Sequence, residues 1–423
     1  MSQPATPAPL LRRGPRPLLL HLTLAWMRSS ASLAGLMTGS APSSAAWPLS
    51  NPAAFATIMA RRMAAQAAPS GAGAGPDGQF ALAVFQELAR ADRALIAGIA
   101  AYRRHPYTRS LPEPPTVWQE GDSRLLDYTL PGAEAGKPVL LVPSLVNRAY
   151  VLDLAPGASL LRFLAAQGFR PLLLDWGWPG AVERGFTLTD YIAGRLERAA
   201  VAALALTGKP AVLAGYCMGG TMAVAAAQRR PDLFAALALF AAPWDFFAHD
   251  GGAQGRALAA LLPLLEPLLA FNATLPVDAL QALFAGLDPY GIAEKYRGFA
   301  RLDPASARAE RFVALEDWLN DGVPLSAPVA RECLEGFYGR NDPANLNWRI
   351  AGQVVDPAGI TMPAFVAVPA RDRIVPPEGA LALAAGLRHV KVHQPSAGHI
   401  GMAAGATAER ALWRPFTAWL STL

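Results

Sequence analysis

One of the two cysteines in this chain lies in a sequence that can expose a nucleophile. Cys217 is the third residue of Gly-Tyr-Cys-Met-Gly-Gly at positions 215–220, which follows a short apolar run and precedes a helical pattern. Gly215 and Gly219 would let the backbone turn sharply from strand to helix, where a Cβ atom would collide with its neighbours. The turn would place the sulfur at a helix N-terminus, whose partial positive charge favours the thiolate. We therefore predict that Cys217 is a nucleophile; a small buried cysteine on a tight turn is the alternative.

A base and an acid follow this cysteine in the order that α/β-hydrolases use. His399 lies in a loop of small residues after the last predicted strand, and Asp372 follows the strand before it. His399 would remove the thiol proton, and Asp372 would hold the imidazole tautomer and stabilise the imidazolium. Asp372 could instead cap a helix or pair with a neighbouring arginine. Asp245, which follows an earlier strand, is an alternative acid.

Two backbone N–H groups are needed to stabilise an oxyanion at such a cysteine. One belongs to Met218, the residue after the nucleophile. The other should come from the loop after the first strong strand, and here Leu145 is favoured with Val146 as a close alternative.

Apolar runs and helical patterns alternate from Lys137 onward, which predicts a mainly parallel sheet with helices on both faces, an α/β fold. The predicted strands are Val139–Val142, Arg170–Leu174, Ala211–Tyr216, Ala236–Phe240, Ala364–Val368 and His389–Val392. The predicted helices between them are Ala158–Gln167, Thr189–Leu206, Met218–Gln228 and Pro377–Gly386. The alternation stops between the fourth and fifth strands, where residues of about 250–345 are mostly helical and should form a cap over the carboxyl edge of the sheet.

The pattern divides the chain into an N-terminal region, residues 1–115, and a catalytic domain, residues 116–423, that contains the cap. The first 50 residues are rich in Pro, Ser and Ala and are expected to be partly disordered. Helical patterns follow at Ala54–Ala67 and Phe80–Tyr102. Leu18–Met27 is too short to span a membrane. With the arginines before it this segment could imitate a signal peptide, but a helix lying on the domain or on a hydrophobic surface is favoured.

Composition excludes several classes of protein. Apolar residues make up 52% of the 423 residues and charged residues 16%, which excludes a disordered chain. The net charge of +5 comes without a dense basic run, so no nucleic-acid partner is expected. Two cysteines cannot form a disulfide framework, which fits a reducing compartment. The second, Cys333, lies in a helical stretch without glycines and is predicted to be a packing residue.

Together these motifs resemble those of the polyhydroxyalkanoate synthases, an α/β-hydrolase family, and most closely the short catalytic subunits of the two-component synthases. The resemblance rests on six segments in order: residues 145–154, 174–179, 189–192, 215–220, 372–377 and 398–401. It implies a Cys217–His399–Asp372 triad that polymerises (R)-3-hydroxyacyl-CoA with release of CoA. It also implies a cytoplasmic location on storage granules, and either a second synthase subunit or a homodimer.

The nucleophile type suits this chemistry. Transfer of an acyl group from CoA to cysteine exchanges one thioester for another, so the group stays activated for a second transfer. No metal or organic cofactor is expected, because the Cys and His positions do not match a zinc spacing. Two alternatives stay open: a thioesterase, esterase or intracellular depolymerase on the same triad, and a non-enzymatic granule-binding protein.

Overall fold

A computed structural model describes residues 12–38 and 76–423. The contacts within the chain form two compact units, one from Met1–Tyr107 and Phe284–Asn320 and the other from Thr108–Leu283 and Asp321–Leu423. Thus Phe284–Asn320, which the sequence assigned to the cap, groups with the N-terminal helices. The predicted helix Ala54–Ala67 lies outside the described residues.

The larger unit is built on an eight-stranded sheet of order β1-β2-β4-β3-β5-β6-β7-β8. Its strands are β1 Thr116–Glu120, β2 Ser123–Asp127, β3 Pro138–Val142, β4 Arg170–Asp175, β5 Ala211–Tyr216, β6 Phe234–Phe240, β7 Ala364–Ala367 and β8 Val390–His393. β1 and β2 pair antiparallel with each other and β2 pairs antiparallel with β4, whereas β3 to β8 run parallel. Six of these strands confirm the prediction. The β1–β2 hairpin at the edge was missed, because its short, partly exposed strands lack a continuous apolar run.

The register of the parallel strands aligns their carboxyl ends. Val142 at the end of β3 pairs with Gly215 of β5, and Tyr216 pairs with Phe240 of β6. Phe240 in turn pairs with Ala367 of β7. The loops that follow β3, β5, β6 and β7 therefore emerge side by side at one edge of the sheet, which is where open α/β sheets bind ligands.

Helices cover both faces of this sheet. β3, β4, β5 and β7 are buried along their whole length, as expected for parallel strands covered on two sides. On β6, Leu239 lies on one face of the sheet, in the same core cluster as Ala199 of the helix Glu197–Thr207. The next residue, Phe240, points to the opposite face and meets Phe416 edge-on at 4.9 Å between ring centroids. The helices that surround the sheet are Leu160–Ala166, a π-helical turn Asp190–Leu196 continued by Glu197–Thr207, Met218–Arg229, Pro377–Gly386, His399–Ala404, a π-helical turn Glu409–Trp413 and Arg414–Leu420.

The region between β6 and β7 is helical, as predicted, with two short strand pairs. Within the larger unit its helices are Ala253–Ala259, Leu262–Asn272, Ala327–Arg331 and the π-helix Glu332–Gly339, together with most of Val277–Ala285. The strand pairs join Thr274–Leu275 to Leu325–Ser326 and Arg349–Ile350 to Gln353–Val354, and a third pair earlier in the chain joins Asp153–Ala155 to Ala158–Ser159. Single turns of 3-10 helix occur at Ala149–Leu152, Glu183–Gly185, Pro231–Leu233 and Pro357–Gly359.

The described part of the smaller unit is helical. Its helices there are Leu18–Thr38, Pro76–Arg104, Gly291–Phe299 and Ala307–Asn320, so the pattern at Phe80–Tyr102 is confirmed and Leu18–Met27 is part of a longer helix. Tyr102 packs edge-on against Tyr296 at 5.6 Å, and its hydroxyl donates to Asp317 at 2.9 Å. Arg12 also bonds Asp317, at 2.7 Å, which fastens the start of the described chain to this core. Among the described residues, no helix has both the length and the apolarity that a membrane crossing requires.

Candidate active site

Cys217 occupies a strained turn between β5 and the helix Met218–Arg229. Its φ of 56° and ψ of −129° lie in a region that residues with a side chain rarely adopt. Two backbone bonds hold the turn: the Cys217 N–H donates to the Phe240 carbonyl at 2.8 Å, and the Gly220 N–H donates to the Cys217 carbonyl at 2.8 Å. The sequence therefore forms the predicted elbow, with the sulfur at the N-terminus of a helix of 12 residues.

The two glycines of the elbow are required by close backbone approaches. A Cβ atom on Gly215 would lie 2.4 Å from the Cα atom of Gly220, across the turn. A Cβ atom on Gly219 would lie 2.2 Å from the carbonyl oxygen of Val142, in the neighbouring strand. Real Cβ atoms essentially never approach other atoms this closely, so both positions exclude any residue larger than glycine unless the backbone moves.

His399 and Asp372 lie together behind the cysteine. His399 Nδ1 and Asp372 Oδ2 are 2.7 Å apart and both side chains are buried. The other carboxylate oxygen, Oδ1, accepts the backbone N–H groups of Ile374 at 2.8 Å and Val375 at 2.9 Å. Cys217 lies close enough to His399 to raise the pKa of the imidazole. Because Nδ1 is engaged by Asp372, Nε2 is the nitrogen left for Cys217, so the three predicted residues lie together in the order of a triad.

The surroundings of His399 favour its charged, imidazolium form. Burial by itself would lower the pKa of His399, because it removes water from the imidazolium. The charge that Cys217 carries once it is a thiolate and the hydrogen bond to Asp372 outweigh burial and raise the pKa to about 10. In contrast, burial raises the pKa of Cys333, and the nearby charge of Glu332 raises it further, so Cys333 stays a thiol at neutral pH.

The loop after β3 approaches the elbow, as an oxyanion hole requires. Trp176 donates from its indole to the Pro143 carbonyl at 3.0 Å, which fixes this loop. The Val146 N–H donates to the hydroxyl of Ser144 at 3.1 Å, so of the two alternatives the structure favours Leu145. Met218 is the first residue of its helix, and its N–H is one of those that no helical carbonyl accepts. The assignment of Met218 and Leu145 as donors stays a prediction.

The alternative acid is engaged elsewhere. Asp245 Oδ1 accepts the Phe247 N–H at 2.9 Å and the side-chain amide of Asn341 at 2.8 Å. Of the other histidines, His393 bonds the Ala411 carbonyl at 2.7 Å. Within residues 12–38 and 76–423, no group of three or more His, Cys, Asp or Glu side chains could hold a metal ion.

Sequence reasoning missed the role of Tyr216. Its buried hydroxyl donates to the backbone carbonyl of His399 at 3.3 Å, and its ring lies 5.2 Å from the imidazole. The residue before the nucleophile thus supports the segment that carries the base. The only signal in the sequence was its place next to Cys217, which does not reveal a contact 183 residues away along the chain.

Comparison with known proteins places the chain in a family. A sequence model described as the alpha/beta hydrolase fold matches residues 137–405. The chain is 30% identical over 311 residues to the poly(3-hydroxyalkanoate) polymerase subunit PhaC of Haloferax mediterranei, covering 72% of this chain and 63% of that protein. It is 28% identical to the protein of the same name from Haloarcula marismortui, over 72% of this chain and 66% of that protein. Against the corresponding Synechocystis protein the identity is 30%, over 67% of this chain and 77% of that protein.

The chain therefore belongs to the α/β-hydrolase fold family and, within it, to the polyhydroxyalkanoate synthase family. It spans less than two thirds of the length of the first two of these relatives.

Proposed function

We propose that this protein is an acyltransferase that polymerises (R)-3-hydroxyacyl-CoA into polyhydroxyalkanoate and releases CoA. The observation that carries the proposal is Cys217 on a nucleophile elbow beside the buried pair His399–Asp372, in a member of the synthase family. A cysteine at this position, rather than serine, keeps a bound acyl group activated.

The first half-reaction loads the enzyme. His399 Nε2 accepts the thiol proton of Cys217, and the thiolate attacks the carbonyl carbon of the CoA thioester. The N–H groups of Met218 and Leu145 stabilise the resulting oxyanion. The tetrahedral intermediate collapses with cleavage of the bond to CoA, whose sulfur takes the proton from His399. Asp372 holds the imidazole with its proton on Nδ1 and stabilises the imidazolium throughout.

The second half-reaction extends the chain. His399 removes the proton from the 3-hydroxyl group of another unit, and that oxygen attacks the thioester held on Cys217. An ester bond forms, the bond to sulfur breaks, and the proton returns to Cys217. The chain's own side chains and backbone supply every proton transfer and charge contact in these steps, so we propose a reaction without metal or organic cofactor.

The relatives named above are described as polymerase subunits. We extend the proposal to a second synthase subunit, or a second copy of this chain, as a partner, and to a cytoplasmic location at the surface of storage granules. A partner should increase the rate of polymer formation or shorten its lag without altering acylation of Cys217.

The test is the product that accompanies CoA. The protein is incubated with (R)-3-hydroxybutyryl-CoA, with and without a candidate partner subunit, and released CoA, free 3-hydroxybutyrate and polymer are measured together. Cys217→Ala is the inactive control, and Cys333→Ala should keep activity within about twofold. Polymer in amounts matching released CoA supports the proposal. Release of CoA with equivalent free acid would instead identify a thioesterase, and no release under any condition would reject both.

Mass spectrometry of the intact protein locates the intermediate. Mixing with substrate should add one hydroxyacyl group to the peptide that contains Cys217. An adduct on Cys333 would overturn the assignment of the nucleophile.

A further inference from the structure

Asn341 carries an interaction pattern that the reaction described above does not use. It follows the π-helix Glu332–Gly339 with a φ of 57°, a conformation that asparagine tolerates better than most residues, and it is only 5% exposed. Its Oδ1 accepts the backbone N–H of Phe246 at 2.9 Å, and its Nδ2 donates to Asp245 Oδ1 at 2.8 Å. Because Phe246 offers a donor and Asp245 an acceptor, only one orientation of the amide satisfies both partners.

Asp245 also contacts the helix Pro377–Gly386, which follows the loop that carries Asp372; we call this loop, between β7 and that helix, the acid loop. The Asp245 N–H donates to the carbonyl of Gly379 at 3.2 Å. The two backbones are so close that a Cβ atom on Gly379 would lie 2.5 Å from the Asp245 carbonyl oxygen. Gly379 lies in the first turn of the helix Pro377–Gly386, and its N–H donates to the Pro376 carbonyl at 3.0 Å. That helix closes the loop in which Asp372 holds His399.

We propose that Asn341 is a positioning residue of the active site, which fixes the loop after β6 and, through Asp245 and Gly379, the loop that carries Asp372. Asn341 does not touch the reacting atoms. It acts by limiting the freedom of the acid loop, so that Asp372 keeps the distance and angle at which it orients the imidazole. The effect on turnover rests on the proposed function; the effect on Cys217 reactivity does not.

Substitutions that break or keep the bond between Asn341 and Asp245 give a sharp test. In Asn341→Asp, a second carboxylate faces Asp245 and the donor is lost. In Asn341→Leu, the side chain keeps a similar size but offers neither the acceptor for Phe246 nor the donor for Asp245. In Asp245→Asn, the amide oxygen takes the place of Oδ1, which accepts both the Phe247 N–H and the Asn341 amide, so both hydrogen bonds are kept.

We expect Asn341→Asp and Asn341→Leu each to lower kcat for CoA release by about tenfold or more, as for loss of a buried hydrogen bond to a charged group, with KM changed less than about twofold. Asp245→Asn, which keeps both bonds, should lose at least about threefold less than Asn341→Asp. Asn345→Asp, a matched change at an exposed position four residues away, should stay within about twofold. Asn341 variants that match wild type, or an Asp245→Asn variant as impaired as Asn341→Asp, would overturn the proposal.

The pH profile separates positioning from a loss of folded protein. The two carboxylates of Asn341→Asp can share a proton at low pH and so regain a hydrogen bond. Its deficit in kcat should therefore be smaller at pH 5.5 than at pH 8, while circular dichroism finds it folded at both. A deficit in kcat that does not change with pH would contradict a role for the contact between the side chains at positions 341 and 245.

A readout without substrate keeps this inference independent of the polymerase proposal. In a Cys333→Ala background, the rate at which iodoacetamide alkylates Cys217 reports the thiolate that His399 and Asp372 support. Asn341→Asp and Asn341→Leu should slow alkylation at pH 7 at least about threefold, and Asp245→Asn should slow it less. Unchanged alkylation in the two Asn341 variants would refute a route through the acid loop even if CoA release falls. Wild-type protein that is alkylated normally but releases no CoA would instead count against the proposed function.

Discussion

Replacing Asp372 with Asn changes one functional group, and the contacts of the site determine how the new amide turns. The backbone N–H groups of Ile374 and Val375 both point at Oδ1, so the amide oxygen must remain there. Its NH₂ group then replaces Oδ2, which is 2.7 Å from His399 Nδ1. Nδ1 must become an acceptor, and the neutral ring carries its proton on Nε2, the nitrogen that faces Cys217. This tautomer cannot accept the thiol proton.

The size of the loss follows from comparison with serine enzymes. The same substitution costs about 10⁴ in kcat in a serine triad, where the hydroxyl depends entirely on the base. A thiol is more acidic and partly ionised near neutral pH, so Cys217 depends less on the orientation of His399. We expect kcat for CoA release to fall about 10²- to 10³-fold, equivalent to about 2.7 to 4.1 kcal/mol of activation free energy. His399→Ala, which removes the base itself, should cost at least about tenfold more.

The assay is the steady-state rate of CoA release at saturating (R)-3-hydroxybutyryl-CoA, with wild type and both variants at one pH. Asp356→Asn is the matched control, because Asp356 also caps a backbone N–H, that of Ala358 at 2.9 Å, at a site removed from the histidine. It should change kcat less than about twofold. Equal losses for Asp372→Asn and His399→Ala would show that Asp372 does more than orient the base. No loss would assign the third position to another carboxylate, with Asp245 the first to test.

Three further predictions use other parts of the structure. Cys217→Ser should keep the fold but make mostly free acid, because its ester is less activated toward a second alcohol; polymer yield near wild type would show that thioester energetics do not select cysteine. Gly219→Ala should destabilise the protein by about 3 kcal/mol in urea unfolding, since its Cβ atom would lie 2.2 Å from a carbonyl oxygen, whereas Gly298→Ala, a helical position with open space, should be neutral or stabilising. Burial, and then the charge of a nearby aspartate, raise the pKa of Glu332 to about 7 from 4.5, so its contribution to stability is complete below pH 4.5 and is lost as the pH rises through 7. Glu332→Gln should therefore be more stable than wild type at pH 8 by about 1 kcal/mol, after discount for partial exposure, and melting curves in which the two proteins lose stability in parallel between pH 5 and 8 would contradict this.

The triad could be predicted because each member carries a local signal. Cys217 lies between glycines at fixed offsets, and backbone sterics explain both of them. Asp372 follows the buried strand β7 and His399 follows the partly exposed edge strand β8, and parallel strands bring such loops to one edge of the sheet. Two backbone bonds, from Ala370 to Pro395 and from Arg371 to Ala397, then join the two loops. The acid and the base therefore lie close together because of the topology of the sheet, and the alternation of apolar runs and helical patterns in the sequence predicts that topology.

The supports of the site could not be predicted, because they are contacts between distant parts of the chain that leave no local pattern. Asn341 lies 96 residues from Asp245, at the end of a helix in the segment that separates β6 from β7. In the sequence it resembles any polar residue that ends a helix. The same segment also supplies Phe284–Asn320 to the other compact unit, a grouping that apolar periodicity does not encode. If the Asn341 variants slow both turnover and alkylation of Cys217, the segment between β6 and β7 helps to hold Asp372 in place. Changes in that segment would then alter the rate of the chemical step in a chain whose catalytic residues are intact.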